Sequence, residues 1–319
     1  MTKPTAKTSS AGQSVEAPRH ELRVLATKGF PGYALLDSGA GRKLERFGDF
    51  VIDRPEPQAL WRPSLTPEAW NAAHAVFRSV DEDDDGEPGK WRKNKPVPET
   101  WPVRVLGVTM QCRLSGFRHL GLFPEQLPHW EWMIQWLTGV GEKPPRVLNL
   151  FAYTGAASLL AASAGAVVTH VDASRKAVAW AKENQAASRL SEASIRWIVE
   201  DARKFVAREA RRGKTYHLVL VDPPKFGRGP EGEVWDVFTH LSPLLGDVAL
   251  LLEPRRSALA LTTYAIRASA LAIDGLVRDR LAERRGSIES GELAVIDEAG
   301  GRLLPTSLYT RWSCDEAAT

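Results

Sequence analysis

Residues 146–172, RVLNLFAYTGAASLLAASAGAVVTHVD, decide the fold. Arg146–Phe151 is a short run with little polar/apolar alternation, as in a strand covered on both faces. Thr154 and Gly155 turn the chain, a helical stretch follows near 155–164, and Val167–Asp172 is a second run of the buried type. A strand–helix–strand unit with two such strands predicts parallel pairing through a right-handed crossover.

The rhythm continues toward the C-terminus. Strands are expected at Ser194–Val199, Tyr216–Val221 and Ala258–Thr263, with helices near 175–189, 201–212, 233–252 and 269–285. Ile288–Ile296 and Leu303–Trp312 follow one another around a glycine turn and predict an antiparallel pair. Residues 146–315 therefore read as an α/β domain, a Rossmann-like sheet of five parallel strands plus a C-terminal antiparallel hairpin.

N-terminal to it the texture differs. Short segments at His20–Thr27, Tyr33–Leu36, Arg42–Phe47 and Phe50–Asp53, broken by glycine turns, predict hairpins of a small β-rich domain over residues 19–115. Thr66–Phe77 reads as a helix with Thr66 as cap and Pro67 at its first position. Residues 81–100 read as a polar insertion, and Val103–Val108 and Thr109–Ser115 as strands. Residues 1–18 have the composition of a disordered tail. Residues 116–145 are a connecting segment and a helix on which Trp130, Trp132 and Trp136 are expected to pack inward. Trp91, among Lys90, Arg92, Lys93 and Lys95, is the candidate for stacking on a base beside its phosphates, although those cations also suit the acid run Asp81–Asp85.

Composition excludes several classes. With 319 residues, 43% hydrophobic and 25% charged, the chain is neither fibrous nor disordered throughout. A net charge of +3 is too mild to suggest a nucleic-acid partner on its own. No apolar run reaches the ~18–20 residues that span a bilayer and no signal core opens the chain, so a soluble, cytoplasmic protein without a membrane partner is expected. Cys112 and Cys314, with no CxxC and no nearby histidine pair, predict neither a disulfide framework nor a metal site.

Ligands of open parallel sheets gather at the carboxyl ends of the strands, near the point where the strand order reverses. Asn149–Ala156 is the first such end, with Gly155 permitting close approach and a helix N-terminus offering free N–H groups, although an ordinary strand-to-helix turn needs the same residues. Asp172 ends the second strand near the ~20-residue spacing at which an acid meets ribose hydroxyls, or else it caps the next helix, as Ser174 also could. Glu200-Asp201-Ala202 suits the exocyclic amine of an adenine, or Asp201 is an N-cap. Together these ends outline an adenosine site. No GxGxxG or glycine–lysine loop accompanies them, which favours a lone nucleoside over a dinucleotide or triphosphate. In Val219–Phe226, VLVDPPKF, two prolines stop a buried strand and hold the backbone extended. Their carbonyls are expected to face the cleft and, with Asp222, to form a rigid receptor for a planar N–H donor.

Asn149–Leu159 (NLFAYTGAASL), Val171–Ser174, Glu200–Ala202 and Asp222–Phe226 (DPPKF) together resemble the class I S-adenosylmethionine-dependent methyltransferases. Within them they resemble the bacterial large-subunit rRNA base methyltransferases with a DPPKF-type motif. Gly116–Gln126 (GFRHLGLFPEQ) is similar to the segment that leans over the cofactor in that family. The resemblance implies S-adenosylmethionine as cofactor and ribosomal RNA as substrate. It assigns Asn149, Phe151, Tyr153, Thr154 and Gly155 to the methionine end of the cofactor. Asp172, Ala173 and Ser174 fall to the ribose, Asp201 and Ala202 to the adenine, and Phe123 and Gln126 to further cofactor contacts. Asp222, Pro223, Pro224 and Lys225 become the catalytic group. Methylation at carbon 5 of cytosine needs a cysteine nucleophile, and Leu261–Ala265, at the end of the fifth strand, has none. A base nitrogen is therefore the expected target. The same receptor would accept a small molecule or a protein amide, and an RNA-binding protein that merely retains a nucleoside pocket would carry the same motifs.

Overall fold

The computed structural model describes residues 21–79, 89–140 and 144–315. The tail over residues 1–18 and the acid run Asp81–Asp85 lie outside the described residues. In chain order the first part comprises β1 (Leu22–Thr27), β2 (Tyr33–Gly39), β3 (Arg42–Phe47), β4 (Phe50–Pro55), α1 (Pro67–Asn71), β5 (Ala75–Ser79), β6 (Gly89–Lys93), β7 (Trp101–Val105) and β8 (Val108–Cys112). A 3-10 turn, Pro124–Gln126, leads into α2 (Leu127–Thr138). The second part runs β9 (Arg146–Leu150), α3 (Ala156–Ser163), β10 (Val167–Asp172), α4 (Arg175–Ala187), β11 (Ile195–Val199), α5 (Ala202–Arg211) and β12 (Leu218–Val221). It continues through β13 (Phe226–Arg228), β14 (Val234–Asp236), α6 (Val237–Leu251), β15 (Arg256–Tyr264), α7 (Ala270–Arg280), β16 (Ser287–Ile296) and β17 (Leu303–Asp315).

The central sheet has eight strands in the order β1-β16-β17-β15-β12-β9-β10-β11. β15, β12, β9, β10 and β11 are parallel, and β16 and β17 form the antiparallel closing pair. The chain moves from β9 outward to β11, then returns to β12 on the other flank of β9. That reversal opens a crevice at the carboxyl ends of β9 and β12. Both faces are dry because strand side chains alternate. Val147, Leu218 and Ala258 face a layer with Trp130 and Met133 of α2 and Leu159 and Leu160 of α3. Leu148, Val219 and Leu259 face Phe205 of α5, Leu241 and Leu245 of α6 and Val277 of α7. Among the described residues no helix is long and apolar enough to cross a membrane.

The N-terminal part forms a five-stranded sheet, β2-β3-β4-β5-β6, and the two-stranded β7-β8. Three expectations are corrected here. The segment expected as a strand at His20–Thr27 does not belong to the small sheet, because β1 pairs in parallel with β16 at the edge of the central one. Alternation marks a strand but not the sheet that receives it. Helix α1 ends at Asn71, and the last residues of the segment expected to be helical, Ala75–Phe77, belong to β5, parallel to β4 and antiparallel to β6. Val76 and Phe77 favour that strand, one being β-branched and the other aromatic. Gly89–Lys93, expected as polar insertion, is β6, and Trp91 is packed edge-on against Phe77, ring centroids 5.0 Å apart, with Nε1–H donating to the Ser115 carbonyl at 2.7 Å. Its indole is thus engaged within the protein. Trp130 and Trp136 are buried as expected, and Trp132 is half-buried.

Burial holds three histidines neutral in the folded chain. Desolvation lowers His119 and His170 to about 3 and His129 well below its ordinary value. Between pH 6.5 and about 3 the unfolded chain binds protons that the folded chain refuses, so stability falls as the pH is lowered through that window. Calorimetric melting midpoints are expected to drop from pH 7 to pH 5; a flat profile would show that these imidazoles charge in place.

Candidate active site

The crevice opens into a cavity of about 420 Å³, within the ~300–1,000 Å³ usual for ligand sites. Its first wall is the β9–α3 turn. Phe151, Tyr153 and Gly155 take left-handed backbone angles, with φ of 55°, 48° and 85°. Such values are uncommon for the two aromatic residues and cost ~1–3 kcal/mol each where they occur. Two kinds of contact hold them. The Phe151 ring lies 4.8 Å from that of Trp235, and the Tyr153 ring lies 5.5 Å from Phe123 and 6.0 Å from Trp180. The Tyr153 N–H donates to Asp172 Oδ2 at 2.8 Å.

Asp172 sits at the end of β10, its Oδ1 accepting from the Ser174 N–H at 2.8 Å. Burial raises its pKa against these two backbone donors. Among the described residues no cation pairs with it, so the carboxylate has lone pairs left for a neutral donor. Ser174 caps α4, its Oγ accepting from the Ala177 N–H at 3.2 Å, as the alternative reading of this strand end allowed. Asn149 donates from Nδ2 to Ser158 Oγ at 2.9 Å, and Ser158 Oγ lies 3.0 Å from His170 Nδ1. The Thr154 hydroxyl donates to the Gly121 carbonyl at 2.6 Å, which fastens the Gly116–Gln126 segment over the turn. Ala173, Ala202 and Phe123 also line the cavity.

Asp201 lines the cavity, and its carboxylate is also the N-cap of α5, accepting from the N–H groups of Arg203 at 2.9 Å and Lys204 at 3.1 Å. Beyond β12, Asp222 accepts from the Thr262 hydroxyl and, at 3.2 Å, from Gln126 Nε2. The Gln126 amide also reaches Thr262 Oγ1 at 3.3 Å, so Gln126 stands at the Asp222 end of the cavity. Burial raises the Asp222 pKa, opposed by the Thr262 hydrogen bond.

Two expectations about the diproline loop are corrected. The Pro224 carbonyl does not face the cleft unpartnered, because it accepts from Trp235 Nε1 at 2.7 Å. The loop folds back as the β13–β14 hairpin, which brings that indole beneath it. Lys225 is not among the cavity-lining residues; its ammonium lies over the Phe226 ring, 5.4 Å from the centroid. Pro223 is buried in the cavity wall and Arg228 lines the cavity, while Phe226, outside the lining, is 61% exposed. Cys112 and Cys314 are both buried and outside the cavity lining, and desolvation raises Cys112 to about 12.

The cavity also contains residues the sequence reading passed over. Thr262 and Tyr264 end β15, and their rim position alone would have marked them. His119 and Glu125, within the Gly116–Gln126 segment, also line it, as do His129 and Ser307, which no local pattern announces because they arrive from elements that only the tertiary fold brings there. Glu125 has its pKa raised by burial.

Comparison with known proteins gives a match across nearly the whole chain. A crystal structure of an S-adenosylmethionine (SAM)-dependent methyltransferase from Agrobacterium tumefaciens is 47% identical, covers 92% of this chain and 94% of that one, and superposes with a TM-score of 0.86. A Streptococcus mutans protein described as a SAM-dependent methyltransferase shares the fold at 17% identity, over 89% of this chain and 76% of its own, with a TM-score of 0.68. Residues 131–247 match the family described as conserved hypothetical protein 95. The ribosomal RNA large subunit methyltransferase K/L of Shewanella frigidimarina is 37% identical over 150 residues, 46% of this chain and 20% of that protein. The chain thus spans about a fifth of the length of the curated relatives it matches.

The fastening at Gly121 is directly testable. Its φ is +100°, and an added Cβ would stand 2.3 Å from the Trp180 ring. Gly121→Ala is expected to destabilise the fold by about 1–3 kcal/mol, measured by denaturant unfolding. An unchanged midpoint would show that the segment is free to move off the turn.

Proposed function

The chain belongs to the SAM-dependent methyltransferases, and from that premise we propose that it methylates a base nitrogen of large-subunit ribosomal RNA. The observation that carries this reading is Asp222: a carboxylate in the cavity wall, fixed by the Thr262 hydroxyl and the Gln126 amide, with no ion pair among the described residues. Each of its oxygens keeps a lone pair beyond the one already engaged, which suits an incoming N–H. The buried Pro223 wall holds the receptor rigid, which limits the reorganisation needed when the target arrives.

The residues present fit the cofactor. Asp172 is half-buried, unpaired with any cation among the described residues and oriented by two N–H groups, which suits a pair of ribose hydroxyls better than a charged partner. In this reading Asn149, Phe151, Tyr153, Thr154 and Gly155 hold the methionine end, Ala173 and Ser174 flank the ribose, Asp201 and Ala202 border the adenine, and Phe123 covers it. Bound there, SAM supplies a methyl group on a sulfonium whose thioether leaves neutral. The chain's own task is to orient the acceptor and dispose of its proton. Asp222 accepts the N–H of the target, and its raised pKa moves it toward the range of an effective base. Gln126 and Thr262 keep that carboxylate aimed, while Tyr153, Phe123 and Trp235 exclude water from the pocket.

RNA is favoured as substrate by two observations. The Shewanella relatives matched over this region are named as ribosomal RNA methyltransferases. On β13 Arg228 also lines the cavity, and two residues before it Phe226 is exposed with the Lys225 ammonium over its ring. An aromatic face beside cations stacks a base at ~1–3 kcal/mol and meets its phosphates.

Asp172→Asn is expected to weaken S-adenosylhomocysteine binding by about tenfold in calorimetry, with unchanged affinity removing Asp172 from the ribose role. Asp222→Asn is expected to leave that affinity intact and abolish methyl transfer to rRNA from cells lacking the gene. In the wild type, kcat/KM should fall on acidification at a pH above the ordinary aspartate range, because a raised pKa protonates the base sooner. An acid limb at or below that range would count against Asp222 as the proton acceptor.

A further inference from the structure

Behind the first strand end, three buried polar side chains stand in line. Asn149 on β9 is 4% exposed, and Ser158 on α3 and His170 on β10 are fully buried. The Asn149 amide nitrogen lies 2.9 Å from Ser158 Oγ, which lies 3.0 Å from His170 Nδ1. At one end of the line, His170 Nε2 is buried and has no hydrogen-bond partner among the described residues. At the other end, Asn149 Oδ1 takes no hydrogen bond either, yet it keeps accessible surface. Asn149 lines the cavity, and that oxygen opens on it.

The direction of the line decides what the cavity sees. Burial lowers His170 to about 3, so the ring is neutral and carries one proton. In one arrangement the amide nitrogen donates to Ser158, the Ser158 hydroxyl donates to Nδ1, and the ring proton sits on Nε2. In the other every bond is reversed: Nδ1–H donates to Ser158, the hydroxyl donates to the amide oxygen, and the amide nitrogen turns to the cavity. Both make two bonds, so Nε2 holds the balance. Trp197, opposite His170 in the β10–β11 register, packs on the imidazole with centroids 4.6 Å apart and planes at 59°. A tilted contact with a π face favours a ring edge that carries a hydrogen over one that carries a lone pair. The first arrangement follows, in agreement with the amide nitrogen standing against Ser158.

We propose that Ser158 and His170 are positioning residues, which hold the Asn149 amide so that its oxygen, and not its nitrogen, meets the α-ammonium group of the cofactor's methionine end. This rests on the placing of that end at Asn149 and adds what sets the polarity there. The methionine end offers both a donor, the ammonium, and an acceptor, the carboxylate. An amide free to rotate would serve either; one tied through Ser158 serves the ammonium alone. The chain thereby fixes the orientation of the cofactor's tail without placing a second carboxylate beside Asp172.

The test uses the full chain, S-adenosylhomocysteine, and the analogue of that ligand lacking its α-amino group. In the ligand-free wild type, ¹⁵N shifts of the His170 ring are expected to report the Nε2–H tautomer. Ser158→Ala frees the amide, and calorimetry is expected to show S-adenosylhomocysteine bound about fivefold more weakly while the analogue stays within about twofold. An Nδ1–H tautomer overturns the proposal, whether or not the variant folds. Unchanged affinity for S-adenosylhomocysteine in Ser158→Ala overturns it too, as does an equal loss for both ligands, which would leave Ser158 a packing role only. Asn149→Ala tests the placement beneath it. Wild-type affinity in that variant would move the methionine end away from Asn149, whereas a loss there beside an Nδ1–H tautomer would keep the placement and remove the relay.

Discussion

The Asp172 carboxylate joins two strand ends that the sheet alone would leave as separate loops. One oxygen receives the Tyr153 N–H from the turn after β9 and the other the Ser174 N–H from the turn after β10. The first of these turns is strained, with two aromatic residues in left-handed geometry, and it persists because the carboxylate and the surrounding rings over-determine it. The shape of the cavity follows. Without that tie, Phe151 and Tyr153 would relax toward ordinary angles and their rings would leave the walls that Trp235 and Phe123 complete.

Much of this was written locally, and the remainder was not. The parallel strands are legible because a strand buried on both faces must be apolar at successive positions, as Leu218–Val221 is. The rim acids Asp172 and Asp222 are legible because strand ends are where an open sheet binds ligands. The diproline loop was only half legible. Pro223 and Pro224 fix their own backbone, but which carbonyl stays available depends on Trp235, which returns only through a hairpin after the loop. Lys225 carried a motif position, yet the hairpin turns it away from the cavity toward Phe226. His129 was illegible, since a helix residue gives no sign of what its neighbour's sheet will bring against it. The early boundary of α1 was misread for a related reason: Val76 and Phe77 fit a helical face as well as a strand until β4 and β6 offer them partners.

The N-terminal sheet reaches the cavity through charge rather than through apolar contact alone. The Tyr33 hydroxyl donates to Glu45, Arg54 pairs with the same carboxylate and donates to the Arg118 carbonyl, and Arg118 in turn donates to the Tyr264 hydroxyl. A buried pair of this kind adds little net stability over an apolar substitute, but losing one member costs ~3–5 kcal/mol, so its geometry is firmly kept. Tyr264 lines the cavity, and its placement is therefore set by residues more than two hundred positions upstream. The β-rich part thus contributes to the shape of the site as well as standing beside it.

The seating of β1 bears on how the chain comes to be folded at all. Arg23 on β1 bonds Glu289 on β16, 266 residues later in the chain, and the whole of β1 lies along that strand. A polypeptide emerging from the ribosome presents β1 some 266 residues before its partner strand, so this edge of the sheet cannot close until β16 has emerged. Pairings at such separation form late and slowly. During that interval the chain carries an unmatched β1, with Leu22 and Val24 apolar, and its exposure to chaperones or to other nascent chains is set by the elongation rate rather than by any property of the finished molecule.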